Sequence, residues 1–165
     1  PADLSHMTFS RLRDLPTEFR RSWGGRRVLC AHGSPRKVNE FLWESQCSAP
    51  FLDWLLTTYE VDVLFVTHTG IPWIREISPG RMVVNVGAIG RPANVQDTRV
   101  DYMLLHEFAD HIEGEHRRVA YDHERLAGEM RLEGLPDEFI ETIRTGYWTT
   151  CLEILPGRER SGGIY

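Results

Sequence analysis

The sequence predicts an α/β fold built on a mixed sheet, and three observations carry that prediction. Two short apolar runs, Arg27 to Ala31 and Val61 to Val66, each stop at a polar turn containing a histidine. That is the pattern of buried strands which deliver side chains to one end of a sheet. Between them, Ser48 and Pro50 supply an N-cap and an early proline for a helix. Beyond them, Trp73 to Ile77 and Met82 to Val86 flank Ser78-Pro79-Gly80-Arg81, an antiparallel hairpin around a Pro-Gly turn. Strands separated by a helix and followed by a hairpin give a sheet of mixed rather than purely parallel direction.

In chain order, residues 9–22 mix Leu12, Leu15 and Phe19 with Arg and Glu and predict a short helix or turn ending near Gly24-Gly25. The first buried strand then runs into His32-Gly33-Ser34-Pro35. One or two helical turns are expected from Asn39 to Glu44. The helix capped by Ser48 extends to about Tyr59, with Phe51, Trp54, Leu55 and Tyr59 on one face. The second buried strand ends in Thr67-His68-Thr69-Gly70, and the hairpin's second arm enters a glycine-rich loop, Asn85-Val86-Gly87-Ala88-Ile89-Gly90-Arg91-Pro92. Strands at about 99–107 and 115–120 follow, then helices at about 122–132 and 136–144, the latter stopped by Gly146. From Gly157 onward a mobile tail is expected.

With 165 residues, 41% apolar and 26% charged, the chain has the composition of a single globular unit over 1–165. A net charge of −5, with Arg20, Arg21, Arg26 and Arg27 offset by acids elsewhere, presents no dominant basic face for nucleic acid. Cys30, Cys47 and Cys151 are odd in number and lack C-x-x-C spacing, which argues against a disulfide framework and a zinc ribbon. Reduced thiols and a cytoplasmic location are the expectation. No apolar run approaches the length of a membrane span, and the N-terminus has no signal-peptide core. The opening Pro1-Ala2-Asp3-Leu4-Ser5 lacks a methionine and reads as the continuation of something upstream.

His32 and His68 are the candidate metal ligands, because open α/β sheets gather their sites at the carboxyl ends of strands. Neutral imidazole suits zinc, iron, manganese or nickel, and Gly33 and Gly70 beside them let backbone approach a metal or phosphate closely. A single histidine so placed more often caps a turn; two in the same construction converge. Arg36 and Arg91, each just past a glycine turn, are candidate phosphate contacts, against the plainer reading of exposed arginines paired with acids. His106, His111 and His116 straddle a polar turn and read as solvent-facing. Trp43, Trp54 and Trp73 read as packing.

Three blocks resemble the calcineurin-like metallophosphoesterases, in particular the small bacterial phosphodiesterase type. Val28-Leu29-Cys30-Ala31-His32-Gly33-Ser34-Pro35-Arg36 with Asn39-Glu40 is similar to that family's internal His-Gly block. Asp62 to Pro72 resembles its Gly-His-Thr-His-Ile-Pro signature, and Asn85-Val86-Gly87-Ala88-Ile89-Gly90 its later Asn-x-Gly-Ser-x-Gly loop. With Tyr121-Asp122 and Gly134-Leu135-Pro136, the resemblance covers 27–146. It implies part of a four-layer α-β-β-α sandwich, metal-dependent hydrolysis of a phosphomonoester or phosphodiester, and His32 and His68 as ligands of one divalent metal of two.

The departures bear on activity. Gly70 stands where the signature has its second histidine, a ligand of the other metal, and Thr67 where it opens with glycine. The family's earlier blocks, Asp-x-His, Gly-Asp and Gly-Asn-His, are absent, and Asp62 and Asp97 match no ligand position. The expectation is therefore the C-terminal half of a metallophosphoesterase domain with an incomplete metal site, its catalytic groups unknown. An exposed sheet edge would be open to self-association. The alternative is a non-catalytic binding module on the same fold, comparable to the retromer subunit of that shape. A metal-free two-histidine phosphoesterase fits less well, since His32-Gly33-Ser34 supplies a His-x-Ser motif and His68-Thr69-Gly70 does not.

Overall fold

The structure, a computed structural model, describes residues 6–162. Its centre is a five-stranded mixed sheet of order β1-β2-β3-β5-β4, formed by β1 (Glu18–Trp23), β2 (Arg26–Ala31), β3 (Val63–Val66), β4 (Trp73–Ser78) and β5 (Arg81–Asn85). β2, β3 and β5 run parallel, with Ala31, Val66 and Asn85 side by side at their carboxyl ends. β1 and β4 are antiparallel edges. A second sheet, the hairpin β6 (Val100–Glu107) and β7 (Ile112–Val119), is followed by α3 (His123–Leu132) and α4 (Asp137–Thr145).

The period-2 alternation of the strands divides the core. Leu29, Leu64 and Val83 face α2 (Ala49–Thr58) together with Leu52, Leu55 and Leu56, and each of these is 0% exposed. Val28, Val63, Phe65 and Val84 face the other way and pack with Ile112, Met103 and Leu105 of the hairpin. The order is helix, sheet, hairpin. Among the described residues no helix is long and apolar enough to cross a membrane.

The α/β class, the mixed sheet, the β4–β5 hairpin and the Ser48 cap, which accepts from the Phe51 amide, stand as expected. Gly146 ends α4 in the left-handed conformation at φ 72°, its amide donating to the Thr142 carbonyl. Several expectations need correction. Residues 9–22 are not one helix or turn: α1 (His6–Arg13) ends early and Glu18–Trp23 is the strand β1, joined to β2 through Gly24 and Gly25, both at positive φ. Asn39–Glu44 is not helical, because its carbonyls are spent elsewhere: Trp73 Nε1 donates to the Leu42 carbonyl at 3.0 Å and Arg75 to that of Glu44 at 2.8 Å. The buried face of α2 is Leu52, Leu55 and Leu56, while Trp54 is 46% exposed. The tail expected from Gly157 begins instead as a helical turn, α5 (Gly157–Arg160), whose Glu159 accepts from the Ser45 amide and hydroxyl. The remainder of that tail, 163–165, lies outside the described residues, as does Pro1-Ala2-Asp3-Leu4-Ser5.

Candidate metal centre

Three loops leave the carboxyl ends of β2, β3 and β5 side by side, and hydrogen bonds between polar side chains and backbone brace them. Thr67 Oγ1 donates to the Gly87 carbonyl at 2.7 Å, the buried Asn85 Nδ2 donates to Thr69 Oγ1 at 2.6 Å, and Asn85 Oδ1 accepts from the Gly87 amide at 3.1 Å. From the hairpin, His116 Nε2 lies 3.0 Å from the Asn85 carbonyl, so this nitrogen carries its proton. His116 is thus a partly buried brace, a correction to its solvent-facing assignment; His106 is exposed and His111 partly so. On this frame His68 sits at φ 78°, a left-handed conformation unusual for a residue with a side chain.

Gly33 closes the β2 loop at φ 73°, where a Cβ would stand 2.5 Å from the Val38 carbonyl oxygen, so only glycine fits. The Ser34 hydroxyl donates to Glu40 and accepts from the amides of Arg36 and Lys37 at 3.0 and 3.2 Å, which turns the chain away and leaves His32 projecting.

The loops bring the two predicted ligands together. His32 Nε2 and His68 Nδ1 face each other at 3.0 Å, with ring planes 71° apart. The half-exposed Phe41 lies over His68 at 4.5 Å between centroids, and its ring is parallel to that of buried Trp43 at 5.4 Å. Burial lowers the His68 pKa, and the neighbouring His32 pushes it the same way, so the neutral, metal-binding form is favoured. Metal–nitrogen bonds of about 2.1 Å span nitrogens about 3.0 to 3.4 Å apart as the angle at the metal opens from about 90° to about 109°. The separation is that of two ligands of one ion; as placed, one of the two nitrogens donates a hydrogen bond to the other. Among the described residues no third His, Cys, Asp or Glu joins them.

The two arginines do not join the pair. Arg36 is held by Glu40 and lies over the rings of Phe51 and Trp54 at 5.0 and 5.5 Å. Arg91 stacks on Trp148 at 3.7 Å. Asp62 is engaged by Arg27, and Asp97 by Arg99 and Arg118. Phe41 and Trp148 went unnoticed in the sequence, where nothing local reports which ring will cover a histidine or a glycine of another loop.

His32 also stands at the rim of a cleft of about 740 Å³ between the central sheet and the hairpin, lined by Cys30, Phe65, Val86 and Met103 among others.

Solved structures share this architecture. A hypothetical protein, PH1004, from Pyrococcus horikoshii OT3 superposes with a TM-score of 0.73 at 22% identity, over 90% of this chain and 57% of that one. A metallophosphoesterase from Sphaerobacter thermophilus superposes at 0.68 with 23% identity, over 88% of this chain and 64% of that one. The fold is that of a metallophosphoesterase. A looser match, to a single-mutant Vps29 from Entamoeba histolytica, has a TM-score of 0.43 and 17% identity over 72% of this chain and 79% of that one. No protein-family model matches the sequence, and no curated protein matches it. The chain spans less than two thirds of the first two structures.

Proposed function

We propose that this chain carries part of a metal-dependent phosphoesterase site of the small bacterial phosphodiesterase type, its C-terminal half, in which His32 and His68 hold one divalent transition metal. The observation that carries the reading is the convergence of His32 Nε2 and His68 Nδ1 at 3.0 Å on a strained backbone at the strand ends. Strain of about 1–3 kcal/mol at one residue persists where function requires the geometry.

His32 Nε2 and His68 Nδ1 are the ligating atoms, and Phe41 fixes the ring plane of His68. A divalent ion there supplies Lewis acidity and a bound water acidified toward neutrality. Two imidazoles leave the ion short of donors. We assign the missing ones to a further segment or chain that enters beside His32 through the open cleft, whose apolar walls suit added β-structure. Its phosphoester substrate would then lie over the three loop ends. The exposed edge strand β1 is a site for self-association in the same reading.

The second reading, a non-catalytic binding module, is favoured by Gly70, because a Cβ there would stand 3.3 Å from Trp148 Cζ2 and the space for a second ligating histidine is filled.

Metal content of the purified protein by elemental analysis, with hydrolysis of an aryl phosphodiester in added manganese, tests both. Expected is up to one metal per chain, lost in His32→Ala/His68→Ala, with any turnover lost alongside. Equal metal uptake by wild type and double variant would remove the reading; specific uptake without turnover at any metal would favour the binding module.

A further inference from the structure

On the β5 side of the His32–His68 pair, Arg91 leaves the glycine-rich loop and lays its guanidinium on the buried indole of Trp148, 3.7 Å from the ring centroid. Trp148 is itself pinned, its Nε1 donating to the Pro92 carbonyl at 2.8 Å and its amide to Asn94 Oδ1 at 2.8 Å. The same indole fills the space over Gly70, two residues beyond His68. A chain of direct contacts therefore joins the guanidinium to the loop that carries the metal-binding histidine.

Among the described residues no carboxylate neutralises this cation. Arg91 has a 3.5 Å contact from Nη2 to the Thr150 carbonyl and an interaction with the Cys151 thiol, and among the described residues no Asp or Glu is among the groups acting on it. Its Nε is buried without a hydrogen-bond partner, and so is Thr150 Oγ1, the hydroxyl of the residue whose carbonyl it meets. Burial pushes the guanidinium's pKa down, the sign of a cation paying for desolvation. Arg27, Arg36, Arg81 and Arg99 all have carboxylate partners. A buried N–H and a buried hydroxyl without partners, beside an unneutralised charge, form an incomplete hydrogen-bonding set that a tetrahedral anion completes.

We propose that Arg91, stacked on Trp148 and flanked by Thr150, is a phosphoryl-binding site that supplies a fixed positive charge linked through the indole to the His68–Gly70 loop. The inference rests on the phosphoesterase reading for its role, while the anion site itself needs no metal. Arginine suits the post, because its charge cannot be titrated away near neutral pH and its planar fork matches phosphate oxygens. The indole beneath holds the plane of the fork at a cost in freedom already met before the anion arrives.

The test is a titration of metal-free protein with inorganic phosphate, followed through the Arg91 Nε–H resonance, with chloride at matched ionic strength as control. Expected is a saturable shift in the wild type and in His32→Ala/His68→Ala, and at least about tenfold weaker binding in Arg91→Gln, since a charge-assisted hydrogen bond is worth about 1.5–3 kcal/mol. A linear, unsaturated shift in the wild type would overturn the proposal even if Arg91→Gln failed to fold, and so would equal phosphate affinity in Arg91→Gln. Saturable phosphate binding without metal uptake at His32 and His68 would sustain this site and sink the phosphoesterase reading; metal uptake without phosphate binding would do the reverse.

Discussion

Under α2 the central sheet buries Leu29, Leu64 and Val83 completely, whereas across the same strands the β6–β7 hairpin leaves Cys30, Val86 and Met103 half-buried along a cleft of about 740 Å³. The strands are shared, so the contrast comes from what covers them. A ten-residue helix with three leucines at i, i+3 and i+4 spacing seals one face. Two strands are a thin cover for the other, since an isolated hairpin is marginal in water and depends on the face it packs against. The contrast bears on the candidate site as well, since His32 is among the residues that line the open cleft.

The largest expected effect tests that contrast directly. Leu64→Ala, at a fully buried position under α2, should cost about 3 kcal/mol, and Leu105→Ala, half-buried on the hairpin face, about 1 kcal/mol. Urea denaturation midpoints measure both. Equal losses would mean that the hairpin closes its face as well as the helix does, and the cleft would cease to be a candidate entry for further structure.

The same division explains what was legible in the sequence. β2 and β3 stood out because both their faces are buried, which makes the apolar run continuous and its end at His32 or Thr67-His68 abrupt. Their shared construction was enough to pair the histidines, whose facing nitrogens lie 3.0 Å apart. β1 was missed because Glu18 to Ser22 are exposed on both faces and show no alternation. The Gly24-Gly25 pair between two arms was the available signal, a two-residue hairpin turn with positive φ at both positions. The loop at Asn39–Glu44 was misjudged because long-range donors, Trp73 and Arg75, claim its carbonyls, and no local pattern reports a partner about 30 residues away. Trp148 was read as nothing at all, since its meaning depends on Gly70 lying beneath it.

A smaller effect concerns that contact. Gly70→His would restore the signature histidine on paper, yet position 70 has φ 71° and its Cβ would press on Trp148 at 3.3 Å. The left-handed backbone alone costs a residue with a side chain about 1–2 kcal/mol. The expected result is a loss of that order in urea stability and no added equivalent of metal. A stable variant with new metal uptake would show that the indole yields, and that the second ligand position is latent rather than filled.

The smallest effect lies where the thinly covered side is pinned at its base. Arg99 and Arg118, the latter on β7, hold the Asp97 carboxyl down at about 2, chiefly through the Arg99 hydrogen bonds, and Asp97 also backs onto Gly146 at the end of α4. Since the folded-state pKa lies below the ordinary carboxylate value near about 4, the contribution is fully present above that value and is lost as pH falls from about 4 toward about 2. Both arginines are nearly half exposed, so solvent screening limits it to about 1 kcal/mol or less. Comparing urea stability at pH 5 and pH 2.5 in wild type and Asp97→Asn isolates this group from the other carboxylates. The variant should lose less on acidification by that amount; an identical loss would mean that the hairpin is anchored by its apolar contacts alone, and that the ion pairs at its base merely decorate an edge already held.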